Sequence, residues 1–372
     1  SCFTEINTLI LPVTMYQIEI KKHVLKFNLP AGTSRGIMYE KPSWFILLRD
    51  VKNPETVGLG ECGLLPGLSI DDHPEYENTL AGISKWMENE EITQILQQQL
   101  KDWPSIRFGL EMAWIDLQTG GKKILFPGEF TRGRQSIPIN GLIWMGDQKN
   151  MLNQIEKKIS EGWHCLKLKV GAIDFKEELF LLKYIRNAFS PAELELRLDA
   201  NGGFTTETAL DKIKHLAEFG IHSIEQPIMP DMWDEMAELC IHSPIDIALD
   251  EELILHKDLK NRETMLKHMR PAYIIIKPSL IGGFESAGSW INIASDLDIA
   301  YWITSALESN IGLNAISQWT STLQNPLPQG LGTGLLYSNN FESPLVVKPG
   351  FLSHDPSKIW DTKSLTTTNS NE

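Results

Sequence analysis

From about residue 136 onward, short apolar runs that suit buried strands alternate with amphipathic helical stretches. These runs lie at residues 137–139, 166–170, 194–198, 221–224, 245–249, 272–276, 300–303 and 330–332. Alternation of this kind is typical of parallel strands joined by crossover helices. Eight such units predict a closed (β/α)8 barrel, a TIM-like α/β fold. The length of 372 residues leaves room for a smaller second domain beside a barrel of ~250 residues.

The residues before the barrel have a different character. Strand-like stretches at 16–20 and 44–48 flank a Gly-rich segment at 31–36, and apolar residues recur with helical spacing over 105–117. We therefore predict an N-terminal α+β domain. The expected division is a leader or extra segment at 1–14, an α+β capping domain at 15–134, the barrel at 135–345, and a C-terminal segment with a polar tail at 346–372.

Charge and composition narrow the class of protein. The 34 basic residues against 48 acidic ones give a net charge of -14, which repels nucleic acid. No uninterrupted apolar run approaches the ~20 residues that cross a bilayer, so no membrane partner is expected. The four cysteines form no C-x-x-C pair, which argues against a zinc knot or a disulfide framework. A cytoplasmic enzyme is the expectation, and the oligomeric state stays open.

Charged residues interrupt the apolar runs at their carboxyl ends, where a buried strand has no need of charge. They are Lys167, Lys169, Asp199, Glu225, Asp250 and Lys277. The steps from Lys169 onward are 30, 26, 25 and 27 residues, close to one β/α unit each. Consecutive strands of a barrel therefore bring these side chains to one rim, which is where barrel enzymes place their chemistry.

The three carboxylates predict a metal site. Asp199, Glu225 and Asp250 would form an all-oxygen ligand set, which suits a hard cation such as Mg²⁺ or Mn²⁺. Strand order places Lys169 and Lys277 on opposite sides of this cluster, so a bound carboxylate substrate would lie between two ammonium groups. One lysine could then remove a proton next to the carboxylate, while the cation stabilises the resulting enediolate.

Less specific interpretations apply to several of these residues. A single charge at a strand end is usually a solvated cap, but five in register on consecutive strands are hard to explain that way. Lys167 could be a rim charge and Asn201 part of a turn, or both could contact substrate. The G-x-G-x-x-G at 58–63 is followed by a proline and does not open a helix, so we interpret it as a turn. The G-x-S-x-G at 32–36 is interpreted as a flexible substrate loop.

With these residues in order, the chain resembles the enolase superfamily, and within it the o-succinylbenzoate synthases of menaquinone biosynthesis. The matching segments are K-x-K at 167–169, D-A-N-G-G at 199–203, E-Q-P at 225–227, D-E-E at 250–252 and K-P-S-L-I-G-G at 277–283. The resemblance implies that Asp199, Glu225 and Asp250 bind the metal. It implies that Lys169 is the acid/base in a syn dehydration of 2-succinyl-6-hydroxy-2,4-cyclohexadiene-1-carboxylate, with Lys277 facing the anionic intermediate.

Substrate recognition is expected from three further segments. Small and hydroxylated residues there could donate hydrogen bonds to the carboxylates of a succinyl-bearing substrate. Together with Lys167 and Asn201, the expected substrate-binding residues are Thr33, Ser34, Arg35, Ser305, Glu308, Ser309, Gly332 and Thr333.

Two alternatives stay open at this point. A dipeptide epimerase or N-acyl amino acid racemase of the same superfamily would use the same two lysines on opposite faces of its substrate. Dipeptide epimerases usually carry acids on the eighth strand, whereas residues 330–334 read G-L-G-T-G. A barrel that only binds a ligand is the other alternative, and the intact lysines and carboxylates argue against it.

Overall fold

The computed structural model describes residues 15–366, so the predicted segment at 1–14 and most of the polar tail lie outside the described residues. The strands are β1 Tyr16–Thr33, β2 Gly36–Asp50, β3 Asn53–Cys62, β4 Ile137–Pro138, β5 Gly141–Ile143, β6 Cys165–Lys169, β7 Glu195–Asp199, β8 Ser223–Glu225, β9 Asp246–Leu249, β10 Tyr273–Ile276, β11 Ala300–Ile303, β12 Leu345–Lys348 and β13 Phe351–His354.

The helices lie mainly between the barrel strands. They are α1 Tyr76–Trp86, α2 Ile92–Gln94, α3 Pro104–Gln118, α4 Gln148–Glu161, α5 Phe175–Ala188, α6 Ala209–Ala217, α7 Trp233–His242, α8 Glu251–Ile254, α9 Leu259–Met269, α10 Pro278–Ile281, α11 Phe284–Asp296, α12 Asn310–Thr322 and α13 Lys363–Thr366, with a π-helical turn at Ile95–Gln99. No helix among residues 15–366 is both long enough and apolar enough to cross a bilayer.

The N-terminal part folds as a three-stranded antiparallel sheet, β1-β2-β3, against which α3 packs. The interpretation of residues 58–63 as a turn is wrong, because Gly58 and Gly60 lie within β3. A Cβ at either position would overlap backbone carbonyl oxygens of α3, at Ala113 and Gly109 respectively. These glycines therefore allow the helix to lie directly on the sheet.

The predicted barrel is confirmed as a curled parallel sheet of seven strands in the order β5-β6-β7-β8-β9-β10-β11. Its strands are short and mostly buried, and apolar residues alternate with polar or charged ones in β6, β7 and β8. Helices pack around the outside, and the apolar side chains between the two layers belong to one continuous core.

Residues 329–330 join the two edges of this sheet. Gln329 donates to the carbonyl oxygen of Pro138 (2.7 Å) and Gly330 donates to that of Ile303 (2.8 Å), and parallel bridges pair Gln329 with Ile139 and Gly330 with Thr304. In place of the predicted eighth run at 330–332, only residues 329 and 330 pair with their neighbours. We call these two residues the seam. The predicted first run is also shifted, since Ile137–Pro138 pairs with β13 and the first barrel strand is Gly141–Ile143.

The segment that follows the seam reaches back to the N-terminal sheet. We call residues 335–341 the strap. Lys26 accepts a hydrogen bond from the Ser338 amide (2.9 Å), and the Asn28 amide donates to the carbonyl oxygen of Leu336 (2.8 Å). Phe27 also pairs with Tyr337, and their rings lie 4.7 Å apart. The strap therefore fixes the β1–β2 hairpin beside the carboxyl-terminal rim of the barrel.

Candidate active site

The charged residues predicted at the strand ends meet at one rim. Lys169 pairs in register with Asp199, and Asp199 pairs in register with Glu225, so the parallel ladder places all three at one level. Asp199, Glu225 and Asp250 each present a carboxylate oxygen within 4.8 Å of the others, and all three residues are buried. The geometry therefore brings the predicted metal-ligand set together.

Three lysines neutralise these carboxylates. Lys169 Nζ lies 2.6 Å from Asp199 Oδ2, and Lys277 Nζ lies 2.5 Å from Asp250 Oδ2. Lys167 Nζ lies between two carboxylates, 2.8 Å from Glu225 and 3.2 Å from Asp199. Lys167 is therefore a buried part of this cluster and not a solvated rim charge.

Burial and charge act on these acids in opposite directions. Burial alone would raise the pKa of Asp199, but the ammonium groups of Lys167, Lys169 and Lys277 hold that pKa well below its usual range. Burial and the neighbouring charge of Asp199 raise the pKa of Glu225 to about 8. A cation bound by these oxygens would favour the charged form of Glu225 and so lower its pKa again.

A divalent cation fits this donor set. The three candidate ligands are carboxylate oxygens from neighbouring strands, and the described residues place no cysteine or histidine in the cluster. Oxygen-only donors are the preference of hard cations. The structure therefore supports a metal site at Asp199, Glu225 and Asp250, as the sequence predicts.

A second layer of polar residues holds the cluster, and the sequence alone did not reveal its roles. Gln226 has a positive φ of 40°, and its side-chain oxygen accepts from the Asp250 amide (3.2 Å) and the Glu252 amide (3.3 Å). Asn201, at φ 45°, accepts from Lys169 (3.1 Å) and donates to Glu251 (2.8 Å). Positive φ at non-glycine residues is uncommon and concentrates at functional sites. The E-Q-P and D-A-N segments contain these two residues, but the sequence does not show their backbone conformation.

A cavity of about 860 Å³ opens above the cluster, and most of the predicted substrate-binding residues line it. Besides Lys169 and Lys277, these are Thr33, Arg35, Lys167, Asn201, Ser305, Gly332 and Thr333. The hydroxyls of Ser305 and Thr333 are hydrogen-bonded to each other (2.7 Å). The residues that follow β11 and those that follow residues 329–330 therefore form one polar wall of the cavity.

The structure places three predicted residues away from this lining. Ser34 lies in the turn between β1 and β2, outside the set of lining residues. Glu308 and Ser309 are fully buried behind the wall. Glu308 accepts from Ser279 Oγ (2.7 Å), and Ser309 Oγ donates to Glu61 (2.5 Å). Substrate contact by these three residues stays a prediction.

Several lining residues were not predicted. Trp144 and Trp163 form part of the wall nearest α4, and Leu65 and Leu68 come from the loop after β3. No short motif marks them, since an isolated tryptophan or leucine normally indicates core packing. The contribution of Leu65 and Leu68 to the cavity follows only from the placement of the N-terminal domain against the barrel.

The β1–β2 hairpin closes one side of the cavity, where a substrate loop was predicted. At its tip, Thr33 Oγ1 donates to the carbonyl oxygen of Gly36 (2.8 Å) and accepts from the Arg35 amide (3.2 Å). Gly32 accepts a backbone hydrogen bond from Met145 (3.2 Å) at such close range that a Cβ would overlap the Met145 carbonyl. A glycine is therefore needed for the hairpin to rest on the barrel.

Comparison with known proteins agrees with this geometry. The family described as "Enolase C-terminal domain-like" matches residues 150–356. An o-succinylbenzoate synthase of Desulfotalea psychrophila is 47% identical over 365 residues, covering 90% of this chain and 98% of the relative. The crystal structure of MenC from Desulfotalea psychrophila superposes with a TM-score of 0.80 at 43% identity, covering 91% of this chain and 99% of that one.

Epimerases share the fold at much lower identity. The L-Ala-D/L-Glu epimerase from Bacillus subtilis superposes with a TM-score of 0.79 at 19% identity, covering 91% of this chain and 95% of that one. Identity at this level shows a common architecture and does not distinguish activities. The family match, the 47% identical relative and the rim of lysines and carboxylates confirm the resemblance noted in the sequence, and the chain is a member of the enolase superfamily.

Proposed function

We propose that this enzyme is an o-succinylbenzoate synthase, a lyase that dehydrates 2-succinyl-6-hydroxy-2,4-cyclohexadiene-1-carboxylate to o-succinylbenzoate. The observation that carries the proposal is the placement of Lys169 and Lys277 on one cavity, each bonded to a different carboxylate of the same cluster. The 47% identity to a synthase of the same name over nearly its full length supports the choice among the activities of this superfamily.

Lys169 is proposed to carry the proton. Its Nζ, once free of its proton, takes the hydrogen from the ring carbon that bears the carboxylate. The hydroxyl on the neighbouring carbon then leaves as water after receiving that proton, and the ring becomes aromatic. Asn201 accepts a hydrogen bond from Nζ (3.1 Å) and so orients the lysine toward the cavity. Lys277 places a second positive charge beside the anionic intermediate.

The proposed cofactor is Mg²⁺, with Mn²⁺ as a substitute. A divalent cation at Asp199, Glu225 and Asp250 supplies positive charge beside the substrate carboxylate, which acidifies the adjacent proton. The protein contributes the fixed position of the three acids and a cavity bounded by the hairpin. We also propose a cytoplasmic location, since Cys62, Cys165 and Cys240 are free thiols.

The test uses the purified chain, the diene substrate and Mg²⁺, and follows the loss of diene absorbance. We expect turnover that EDTA abolishes and Mg²⁺ restores. Lys169→Ala is expected to lower kcat by at least about a thousandfold, since it removes the general base. Lys212→Ala, on the outer helix α6, is the matched lysine control and keeps full activity. Absence of turnover, or turnover indifferent to chelation, would contradict the proposal.

Racemisation of N-acyl amino acids is a second candidate, because two opposed lysines also suit removal and return of a proton on opposite faces. The described segment at 330–334 offers no acid to bind a free amino group, which disfavours dipeptides. Incubation with an N-succinyl amino acid in D₂O separates the two activities. Deuterium incorporation without dehydration of the diene would assign the chain to the racemases.

A further inference from the structure

A buried polar network connects the N-terminal domain to the active-site rim. Its members come from β2, from β3 and from the residues that follow β10 and β11: Lys41, Ser43, Glu61, Ser279, Glu308 and Ser309. All six are buried. None of them belongs to the cavity lining.

Glu61 forms the half of the network that joins the two domains. Its carboxylate accepts from Ser43 Oγ (2.8 Å) within the N-terminal sheet. It also accepts from the Ser309 amide (2.9 Å) and the Gly312 amide (2.9 Å) at the start of α12. A carboxylate at a helix N-terminus is favourable, because it satisfies free amide donors and opposes the helix dipole. β3 thereby supplies the cap of a barrel helix.

Glu308 forms the half that touches the catalytic rim. One of its oxygens accepts from Ser279 Oγ (2.7 Å), and both accept from the Ala306 amide (3.0 and 2.9 Å). Ser279 lies two residues after Lys277, in the short helix α10. Ala306 lies in the cavity wall. The hydrogen bonds of Glu308 therefore connect the turn after β10, which carries Lys277, to the part of the cavity wall that follows β11.

The N-terminal domain packs directly against the Ser279–Glu308 pair. A Cβ at Gly63 would lie 2.9 Å from Ser279 Oγ and 3.0 Å from Glu308 Cγ, closer than ordinary contacts. Lys41, fully buried, provides the compensating positive charge for Glu61 and Glu308. A buried carboxylate without such compensation would be costly.

We propose that Glu308 is a positioning residue for Lys277: its hydrogen bond to Ser279, covered by Gly63 and balanced by Lys41, fixes the turn from which the Lys277 ammonium reaches the reacting ring. This inference rests on the proposed function. A displacement of the ammonium by about 1 Å would lower the rate by up to a hundredfold, because the geometry of charge and reacting atoms is then lost. Substrate binding through the metal and the hairpin would be unaffected.

The test compares Ser279→Ala with Ser43→Ala. Both variants remove one buried hydroxyl that donates to a buried carboxylate, at 2.7 Å and 2.8 Å respectively, but only Ser279 adjoins Lys277. We expect Ser279→Ala to lower kcat about 10-fold to 100-fold with KM within twofold, and Ser43→Ala to leave kcat within twofold at a similar Tm. Ser279→Thr keeps the hydroxyl and should restore most of the rate.

A second variant covers the case in which Ser279→Ala does not fold. Gly63→Ala removes no hydrogen-bonding group but pushes on the Ser279–Glu308 pair, and the same loss in kcat at unchanged KM is expected. Unchanged kcat in Ser279→Ala, an equal loss in Ser43→Ala, or a rise in KM alone would overturn the positioning role. Wild-type turnover is measured beside each variant, so a wild type without dehydration would refute the proposed function instead.

Discussion

The positions of the acidic side chains at the rim differ in how far the sequence predicts them. The register of the parallel strands predicts that Asp199, Glu225 and Asp250 converge, because consecutive strands place their carboxyl ends at one edge. The side chain of Glu308 could not be predicted in this way. Leu307, just before it, has a positive φ of 63°, which turns the chain so that the acid points behind the cavity wall. Because Glu308 follows this turn and lies outside the strands, strand register does not predict where its side chain points.

At this scale, Glu225→Gln is expected to weaken Mg²⁺ binding by at least about tenfold, because a neutral amide replaces one of the three proposed carboxylate ligands. Isothermal titration of the substrate-free protein with Mg²⁺ measures the effect. Glu178→Gln is the matched control, since Glu178 is similarly buried but accepts its hydrogen bond from the Gly171 amide and is not one of the three proposed ligands. Equal affinity in wild type and Glu225→Gln would remove Glu225 from the ligand set.

At the scale of secondary structure, α3 and the barrel strands β6 to β11 were predictable, and the two ends of the barrel were not. The helical spacing over 105–117 corresponds to α3, Pro104–Gln118, because one apolar face is enough to define a helix. The apolar stretch from 137 to 143 contains both β4 and β5, and hydrophobicity cannot say which residues join the barrel. The seam at 329–330 has only two paired residues, too few for any periodicity.

Glu111 shows how one helix can cap another across the domains. From α3, its carboxylate accepts from the Phe284 amide (2.5 Å) and the Glu285 amide (3.2 Å) at the start of α11. Burial nevertheless raises the pKa of Glu111 to about 7, from an ordinary value of 4.5. The folded protein therefore binds this proton more tightly than the unfolded chain does, and stability falls as pH rises from about 4.5 to 7.

Glu111→Gln should accordingly flatten the decline in stability between pH 5 and pH 8, since the titrating group is gone. Urea denaturation midpoints at pH 5, 6, 7 and 8 measure the slope. Some slope should persist, because burial also raises the pKa of Asp71 to about 6 and that of Glu178 to about 7. Glu263→Gln, at an exposed position on α9, should leave the slope unchanged. A slope identical to wild type in Glu111→Gln would contradict the linkage.

For the whole molecule, the two domains are joined by contacts of very different strength. Lys257 and Asp102 form an ion pair across the domains at 2.9 Å, but both side chains are about half exposed. Exposed pairs contribute little, because water screens them. Lys41 is fully buried and interacts electrostatically with Glu61 and Glu308, where no solvent replaces its charge. The buried charges should therefore decide how firmly the N-terminal domain holds to the barrel.

The corresponding comparison is Lys41→Met against Asp102→Asn. Lys41→Met leaves two buried carboxylates without their cation and should lower the free energy of unfolding by about 3 kcal/mol or more. Asp102→Asn should lower it by less than about 1 kcal/mol. Urea denaturation followed by tryptophan fluorescence at pH 7 provides both values. Equal effects of the two substitutions would mean that the buried lysine does not hold the interface.

The strap has a consequence for how the protein is made. Lys26 and its partner Ser338 are separated by 312 residues, so the ribosome exposes the first strand long before the segment that pairs with it. At ~5–20 residues per second, that interval is roughly 15 to 60 s. During this time the β1–β2 hairpin can form its own sheet, but the strap that pairs with it is not yet available. Completion of the catalytic cavity is therefore a late event of translation, after every barrel strand has left the ribosome.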